Sequence, residues 1–281
     1  MTGLAIPKMR GLRVFPPPPK GFDALVATKT DLVRHGLPQR PDPRKRPELA
    51  ALWERRMRRY QDFEHLDAEL YPADPPKEPP TSAFGLSARE SCGFELNSFT
   101  APITILSGTW TVPNLNHTPG AGATNHFRTF FGLGFLDVHV EMTVGAAQQV
   151  TAQIVIHNNT QVALPVRPGD AISATLCLQT DAAGTASYFL VNETTSQTVN
   201  FVMDTGFPPA VTINAGISRG VIDNRPDPLA RFGVVYFDEI VAFTTAGTVL
   251  LTNGQQTTMI ETNGTTLATP LRLNENAFKV I

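Results

Sequence analysis

Asp137, His139 and Glu141 fall at every second residue of a run in which Val138, Val140, Met142 and Val144 fill the alternate positions. In a β-strand successive side chains point to opposite faces, so the three ionisable groups share one face and the apolar four share the other. Carboxylates beside an imidazole are the groups that general acid–base chemistry uses. With His126 or His157 brought close, the same residues would form half of a metal site. The chain offers no compact ligand motif such as paired histidines on a helix, so the reading adopted is a polar cleft face with no metal and no cofactor. There is no glycine-rich phosphate loop and no Gly-x-Ser-x-Gly nucleophile elbow.

The elements that must hold this face are short strands. Val150, Ala152, Ile154 and Ile156 alternate with Thr151, Gln153, Val155 and His157, and Ala171–Leu178, Ala186–Val191, Val234–Phe243 and Thr248–Thr252 are further apolar-rich runs. Asn253-Gly254 and Asn263-Gly264 are reverse-turn signals between strands. Many short strands without a helical period in this part predict a sandwich or barrel from about Phe94 to Ile281.

The first ninety residues read differently. Pro16–Pro19 excludes helix, Thr28 to Asp31 has capping-box spacing ahead of a short helix closed by Gly36, and Pro38–Pro47 reads as a solvated linker. From Pro47, Leu49, Leu52, Trp53, Met57, Tyr60, Leu66 and Leu70 recur at steps of three and four, which predicts an amphipathic helix of about six turns. Its arginines, Arg55, Arg56, Arg58 and Arg59, are expected on a solvated face, with Glu54–Arg58 and Arg58–Asp62 as i,i+4 pairs. Such a helix must dock, either on the sandwich or on a second copy of the chain. Five prolines between Tyr71 and Pro80 break it.

Charge is uneven: residues 1–90 carry a net +4 and residues 91–281 a net −6, for −2 overall. That balance gives no reason to expect nucleic acid. No apolar run is long enough to span a membrane and no signal-peptide pattern opens the chain, which favours the cytoplasm, with export by another route as the alternative. Cys92 and Cys177 are expected as two buried thiols.

Several strings resemble the eqolisin family, the glutamic peptidases. They are Ser107-Gly-Thr-Trp-Thr-Val-Pro113, Phe130-Phe-Gly-Leu133, Arg167-Pro-Gly-Asp170, Asn192-Glu-Thr-Thr-Ser-Gln-Thr-Val199, Pro228-Leu-Ala-Arg-Phe-Gly233 and Met259–Pro270, the last similar to the closing hairpin of bacterial members. The resemblance implies two curved antiparallel sheets with a cleft on the concave side. It also implies a glutamate acting as general base on water and a glutamine amide stabilising the oxyanion.

Transferred to this chain, the glutamine's place falls on Glu141 and the glutamate's on Gly220. Glycine cannot act as a base, and an ionised glutamate accepts hydrogen bonds without donating any. Asp223 is the nearest carboxylate, but its odd separation from Gly220 puts it on the opposite face of a regular strand. The family's Asp, Trp and Glu of the third strand fall on Thr151, Gln153 and Val155, and its cleft tryptophan falls on Phe130.

The sequence therefore predicts an all-β, two-sheet antiparallel sandwich (concanavalin-like, eqolisin-type) over residues 91–281, preceded by a proline-rich, partly helical segment over 1–90. The expected cleft comprises Phe130, Asp137, His139, Thr151, Gln153 and Gly220, with Glu141 and Asp223 as the candidate catalytic carboxylates. The first functional reading is a catalytically degenerate protein that binds a peptide, a protein or a glycan in that cleft. The alternatives are an acid endopeptidase with a rearranged site using Glu141, and an assembly protein that forms a homo-oligomer through the N-terminal helix.

Overall fold

The computed structural model describes residues 12–72, 86–98, 100–120, 123–157, 159–179, 185–222 and 225–281. Asp223, Asn224 and most of the proline-rich stretch after Tyr71 lie outside these residues. Two large sheets face each other. One has eight described strands in the order Gln255–Thr257, Ser91–Asn97, Thr212–Arg219, Thr124–Leu133, Leu136–Gly145, Val150–Ile156, Thr160–Val162 and Leu70–Pro72, all antiparallel. The other has ten, centred on Gln197–Asp204, Thr185–Asn192, Ala171–Gln179, Ile103–Thr111 and Val235–Thr244, which are also antiparallel.

The alternation read from the sequence is what closes the sandwich. Val138, Val140, Met142 and Val144 meet Ile154 and Ile156 on the inner face of one sheet, and Ile172, Ala174, Leu176, Tyr188 and Leu190 supply the inner face of the other. Trp110 stacks on Phe131 across the interior, with ring centroids 5.5 Å apart.

The N-terminal part wraps this sandwich. Arg13–Val14 and Glu64–His65 both pair with the Gln197–Asp204 strand, while Leu70–Pro72 closes the far edge of the eight-stranded sheet. Three short segments thus occupy edges that would otherwise present unpaired backbone groups. The capping box of the first helix, α1 (Lys29–Arg34), forms as read, and Gly36 turns the chain beyond it with φ +63°.

The second helix, α2, runs only from Pro47 to Arg59, three to four turns instead of six. Leu66 and Leu70 keep the apolar spacing, yet they lie in extended chain, because pairing with the two sheets satisfies more backbone than further helix would. The i,i+4 ion pairs are not formed among the described contacts. Arg55, Arg56 and Arg59 instead reach Glu239, and Arg59 also reaches Glu193. Arg56, expected in solvent, is only 4% exposed.

The apolar side of α2 is covered by the chain's own ten-stranded sheet. Trp53, Met57 and Tyr60 pack with Phe189 and Val191, and Leu49 and Leu52 pack with Phe243. Asn253-Gly254 closes a 3-10 turn (Leu251–Asn253) between the strands Thr248–Val249 and Gln255–Thr257, and Asn263-Gly264 turns the chain between Met259–Ile260 and Thr266–Ala268. No described helix is long and apolar enough to cross a membrane.

Candidate functional site

The outer face of the eight-stranded sheet carries the residues singled out above. Strand register places them in rows. Ser91, Ser218, Arg128, Glu141 and Gln153 lie side by side across five strands, and the next row is Gly93, Gly216, Phe130, His139, Val155 and Gln161. Gly93 and Gly216 face each other so closely that a Cβ on either would come within 2.1 Å of the other strand's carbonyl oxygen. Side chains are therefore excluded from that stretch of the floor.

Glu141 is fully engaged. Arg128 donates to its Oε1 from Nε at 2.9 Å and from Nη2 at 2.6 Å, and Gln153 Nε2 donates to Oε2 at 3.2 Å. Both members of the ion pair are largely buried, with side-chain exposures of 15% for Arg128 and 11% for Glu141. Burial alone would raise the Glu141 carboxyl. The positive charges of Arg128 and His139, with the hydrogen bonds from Arg128 and Gln153, outweigh it and hold the group below the usual carboxylate range. An ionised carboxylate whose oxygens already accept from a guanidinium and an amide is poorly placed to take a proton from water.

Gly220 sits at the end of the neighbouring strand. A Cβ there would lie 2.7 Å from the His126 Cβ and 3.3 Å from its Cγ, so His126 fills the space that a side chain at 220 would use. Asp227 closes the adjoining backbone: its N–H donates to the Gly220 carbonyl at 2.7 Å and its Oδ2 accepts from the His126 N–H at 2.9 Å. Burial pushes the Asp227 carboxyl up, against the His126 and Asn125 hydrogen bonds and the charges of His126 and Arg219.

Further along the same face Asp137 and His139 pair, Nδ1 to Oδ2 at 3.1 Å, and both are almost wholly buried. Thr143 and Thr151 share a hydrogen bond of 2.6 Å at the exposed end. The structure thus brings together Phe130, Asp137, His139, Glu141, Thr151, Gln153 and Gly220 on one face, while Asp223 lies outside the described residues. Arg128 and Asp227 were missed. Arg128 alternates with His126 and Phe130, a pattern that names its face, but Phe127, Thr129 and Phe131 between them blur the period. Asp227 is flanked by two prolines and gives no sequence signal beyond a turn.

No group of three or more His, Cys, Asp and Glu among the described residues could hold a metal ion. A cavity of about 360 Å3 lined by Pro165, Arg167, Asp170, Thr195 and Gln197 lies away from these residues. Its carboxylate, Asp170, already accepts from the Arg167 N–H and from Asn192.

The fold is that of solved glutamic peptidases. Scytalido-glutamic peptidase, in a structure with a transition-state analog inhibitor, matches with a TM-score of 0.51 and 16% identity, over 68% of this chain and 97% of the other. SCP-B, an eqolisin-family peptidase in complex with the tripeptide Ala-Ile-His, matches with a TM-score of 0.50 at 16% identity and the same coverage. Aspergilloglutamic peptidase from Aspergillus niger gives a TM-score of 0.43 at 15% identity, over 57% of this chain and 98% of the other. No curated protein matches the chain in sequence. The model of the Peptidase A4 family matches residues 89–280, which take in the long strands of both sheets and the whole candidate site, and the chain therefore belongs to the peptidase A4 family, the eqolisins.

Proposed function

We propose that this eqolisin binds a peptide on its concave face without hydrolysing it. The observation that carries the reading is Gly220. It falls where the family resemblance calls for the general base, it has no side chain, and His126 fills the space beside it. Glu141 supports the same reading, since its oxygens are taken by Arg128 and Gln153 and it cannot donate to an oxyanion while ionised. The peptide ligand is argued from the relatives: one solved eqolisin holds a tripeptide and scytalido-glutamic peptidase holds a peptide-based transition-state analog.

The test is incubation of the purified protein with an unfolded protein substrate from pH 2 to pH 7. The expected result is an intact substrate at every pH at which circular dichroism reports a folded chain. Cleavage that disappears in Glu141→Ala would overturn the reading in favour of a rearranged site.

A second reading rests on Asp227, a buried carboxyl with a raised pKa beside Gly220. A protonated carboxylic acid there would suit an acid peptidase. Cleavage at low pH that vanishes in a folded Asp227→Asn variant would establish that reading instead.

A further inference from the structure

The outer face of the ten-stranded sheet is covered by α2 over only part of its width. Leu49 and Leu52 pack on Phe243, with Ile105 and Val241 beside it, at one end of the Val235–Thr244 strand. At its other end this strand pairs with Phe278–Val280, and that strand pairs with Pro270–Arg272, the last of the sheet. Register sets Tyr236, Lys279 and Leu271 side by side across the three. Val235, Phe237, Pro270, Phe278 and Val280 alternate with them and are buried, so the row faces outward.

Apolar side chains flank that row. Val234 and Ile281 stand one step along the same face and Leu273 one step the other way. With Tyr236 and Leu271 they are 36% to 52% exposed, and these five are close to half of the eleven large apolar residues exposed among those described. Apolar surface gathered in one place marks an association site, where scattered residues would not. The strand that receives α2 runs on into the patch, so the covered and uncovered parts form one continuous face.

The charges on the patch point to what covers it. Lys279 lies in the apolar row and has no ion pair among the described residues. Asp238, two residues along the strand from Tyr236, is exposed, and its side chain accepts only from the Glu239 N–H at 2.7 Å. A partner surface of one sign would leave one of these two unmatched. A second copy of the chain matches both. A two-fold axis lying across the strands, between the Lys279 step and the Asp238 step, turns Lys279 of each copy toward Asp238 of the other and Leu271 toward Leu273.

We propose that this uncovered part of the ten-stranded sheet is the interface of a two-fold dimer of the chain. It lies on the sheet opposite the cleft, so the proposal is independent of the peptide-binding reading.

Sedimentation-velocity centrifugation of the full chain at about 1 to 100 µM should show a monomer–dimer equilibrium with a Kd in about the micromolar range. Tyr236→Glu combined with Leu271→Glu alters exposed side chains only. The fold, checked by circular dichroism, should be retained while the dimer weakens by about 100-fold or more. Lys279→Glu alone and Asp238→Lys alone should each weaken it about tenfold or more. An equimolar mixture of those two single variants should dimerise as the unaltered chain does, because each altered charge then meets its opposite on the other copy. A monomer at every concentration overturns the proposal, and so does a dimer that survives Tyr236→Glu with Leu271→Glu. A mass that grows past two chains overturns the two-fold arrangement, as does a mixture that associates no better than its parts.

Discussion

Both sheets turn polar residues outward, and the chain treats the two faces in opposite ways. On the ten-stranded sheet, Thr109 pairs with Ser173 and Ser107 with Thr175 through hydroxyl bonds of 2.6 and 2.7 Å, a pattern suited to a solvated sheet. That face is nevertheless buried under α2. Arg59 and Tyr60 share Glu193 with Ser173, and Arg55, Arg56 and Arg59 converge on Glu239. On the eight-stranded sheet the corresponding charges, Arg128 and Glu141, belong to adjacent strands of the sheet itself. One face uses its ion pairs to hold another segment of the chain, and the other uses its pair to fix its own floor. Removing a charge should therefore undock a segment in the first case and alter a local site in the second.

The largest effect is expected on the helix side. Arg56 is buried, and its Nε and Nη2 lack hydrogen-bond partners, so Glu239 at 3.6 Å is its main electrostatic compensation. Burial already depresses the Arg56 pKa, against the pull of Tyr60, Glu239 and Glu193. Glu239→Gln should cost about 3 kcal/mol in urea unfolding, because it strands a buried cation. Arg56→Met combined with Glu239→Gln should recover most of that loss, since an apolar pair carries no uncompensated charge. A single variant as stable as the parent would show that Arg56 is compensated by other groups.

The cleft pair should give a smaller effect that depends on pH. Arg128→Met is expected to cost about 2 kcal/mol at pH 7 through loss of the charged hydrogen bonds to Glu141. In the parent protein the Glu141 carboxyl is held below its ordinary value of 4.5. Its stabilising contribution is thus complete above that value and is lost as pH falls through the depressed folded one. Without Arg128, burial would push the carboxyl above its ordinary value, and the variant would gain on protonation. The gap between parent and variant should therefore begin to shrink above pH 4.5, as the variant's raised carboxyl takes up its proton, and go on shrinking until the parent's depressed carboxyl is protonated as well. A gap that stays constant from pH 7 to pH 3 would contradict the assignment.

These contrasts also mark what the sequence could and could not convey. The strict alternation from Asp137 to Val144 was enough to place Asp137, His139 and Glu141 on one face, because the opposite face is wholly apolar. Which groups Glu141 would meet was not legible, since Arg128 and Gln153 come from two different strands and only register joins them. Helix α2 illustrates the converse. Its apolar period persisted through Leu66 and Leu70 after the helix had ended, because the same residues pack equally well from extended chain. Burial of Arg56 was hidden as well: among the four arginines Arg55, Arg56, Arg58 and Arg59 nothing local distinguishes the one that is buried.

A third, milder contrast concerns Gly220. Its backbone is outside the left-handed region, so a side chain is opposed only by His126. Gly220→Glu should cost about 1.5 kcal/mol from overpacking, and adding His126→Gly should relieve most of it, since the nearest contact, at 2.7 Å, is with the His126 Cβ that alanine would keep. The double variant places a carboxylate where the family resemblance calls for the base. Acquisition of acid peptidase activity by that variant, and not by Gly220→Glu alone, would show that this position had been the missing part. Activity in neither would mean that Glu141, standing in the glutamine's place, also has to change.

The two cysteines allow the comparison to be read without altering either ion pair. Burial pushes both thiols up to about 12, so at pH 8 only about one in 10,000 is a thiolate and neither should react readily with a disulfide reagent. Their positions differ, however. Cys92 belongs to the inner core of the eight-stranded sheet, and exposing it requires the sandwich to open. Cys177, expected from the sequence as a buried thiol, is only partly buried because it lies on the outer side of the ten-stranded sheet, paired across the strands with Ile105, which packs against Leu49 and Leu52 of α2. Local release of α2 should therefore expose Cys177 further and leave Cys92 protected. In Glu239→Gln, labelling of Cys177 should quicken while that of Cys92 does not. Arg128→Met should leave the ratio of the two rates unchanged. Equal acceleration of both thiols in Glu239→Gln would mean that helix and sandwich unfold as one unit, and the contrast between the two faces would then concern contacts without separate stabilities.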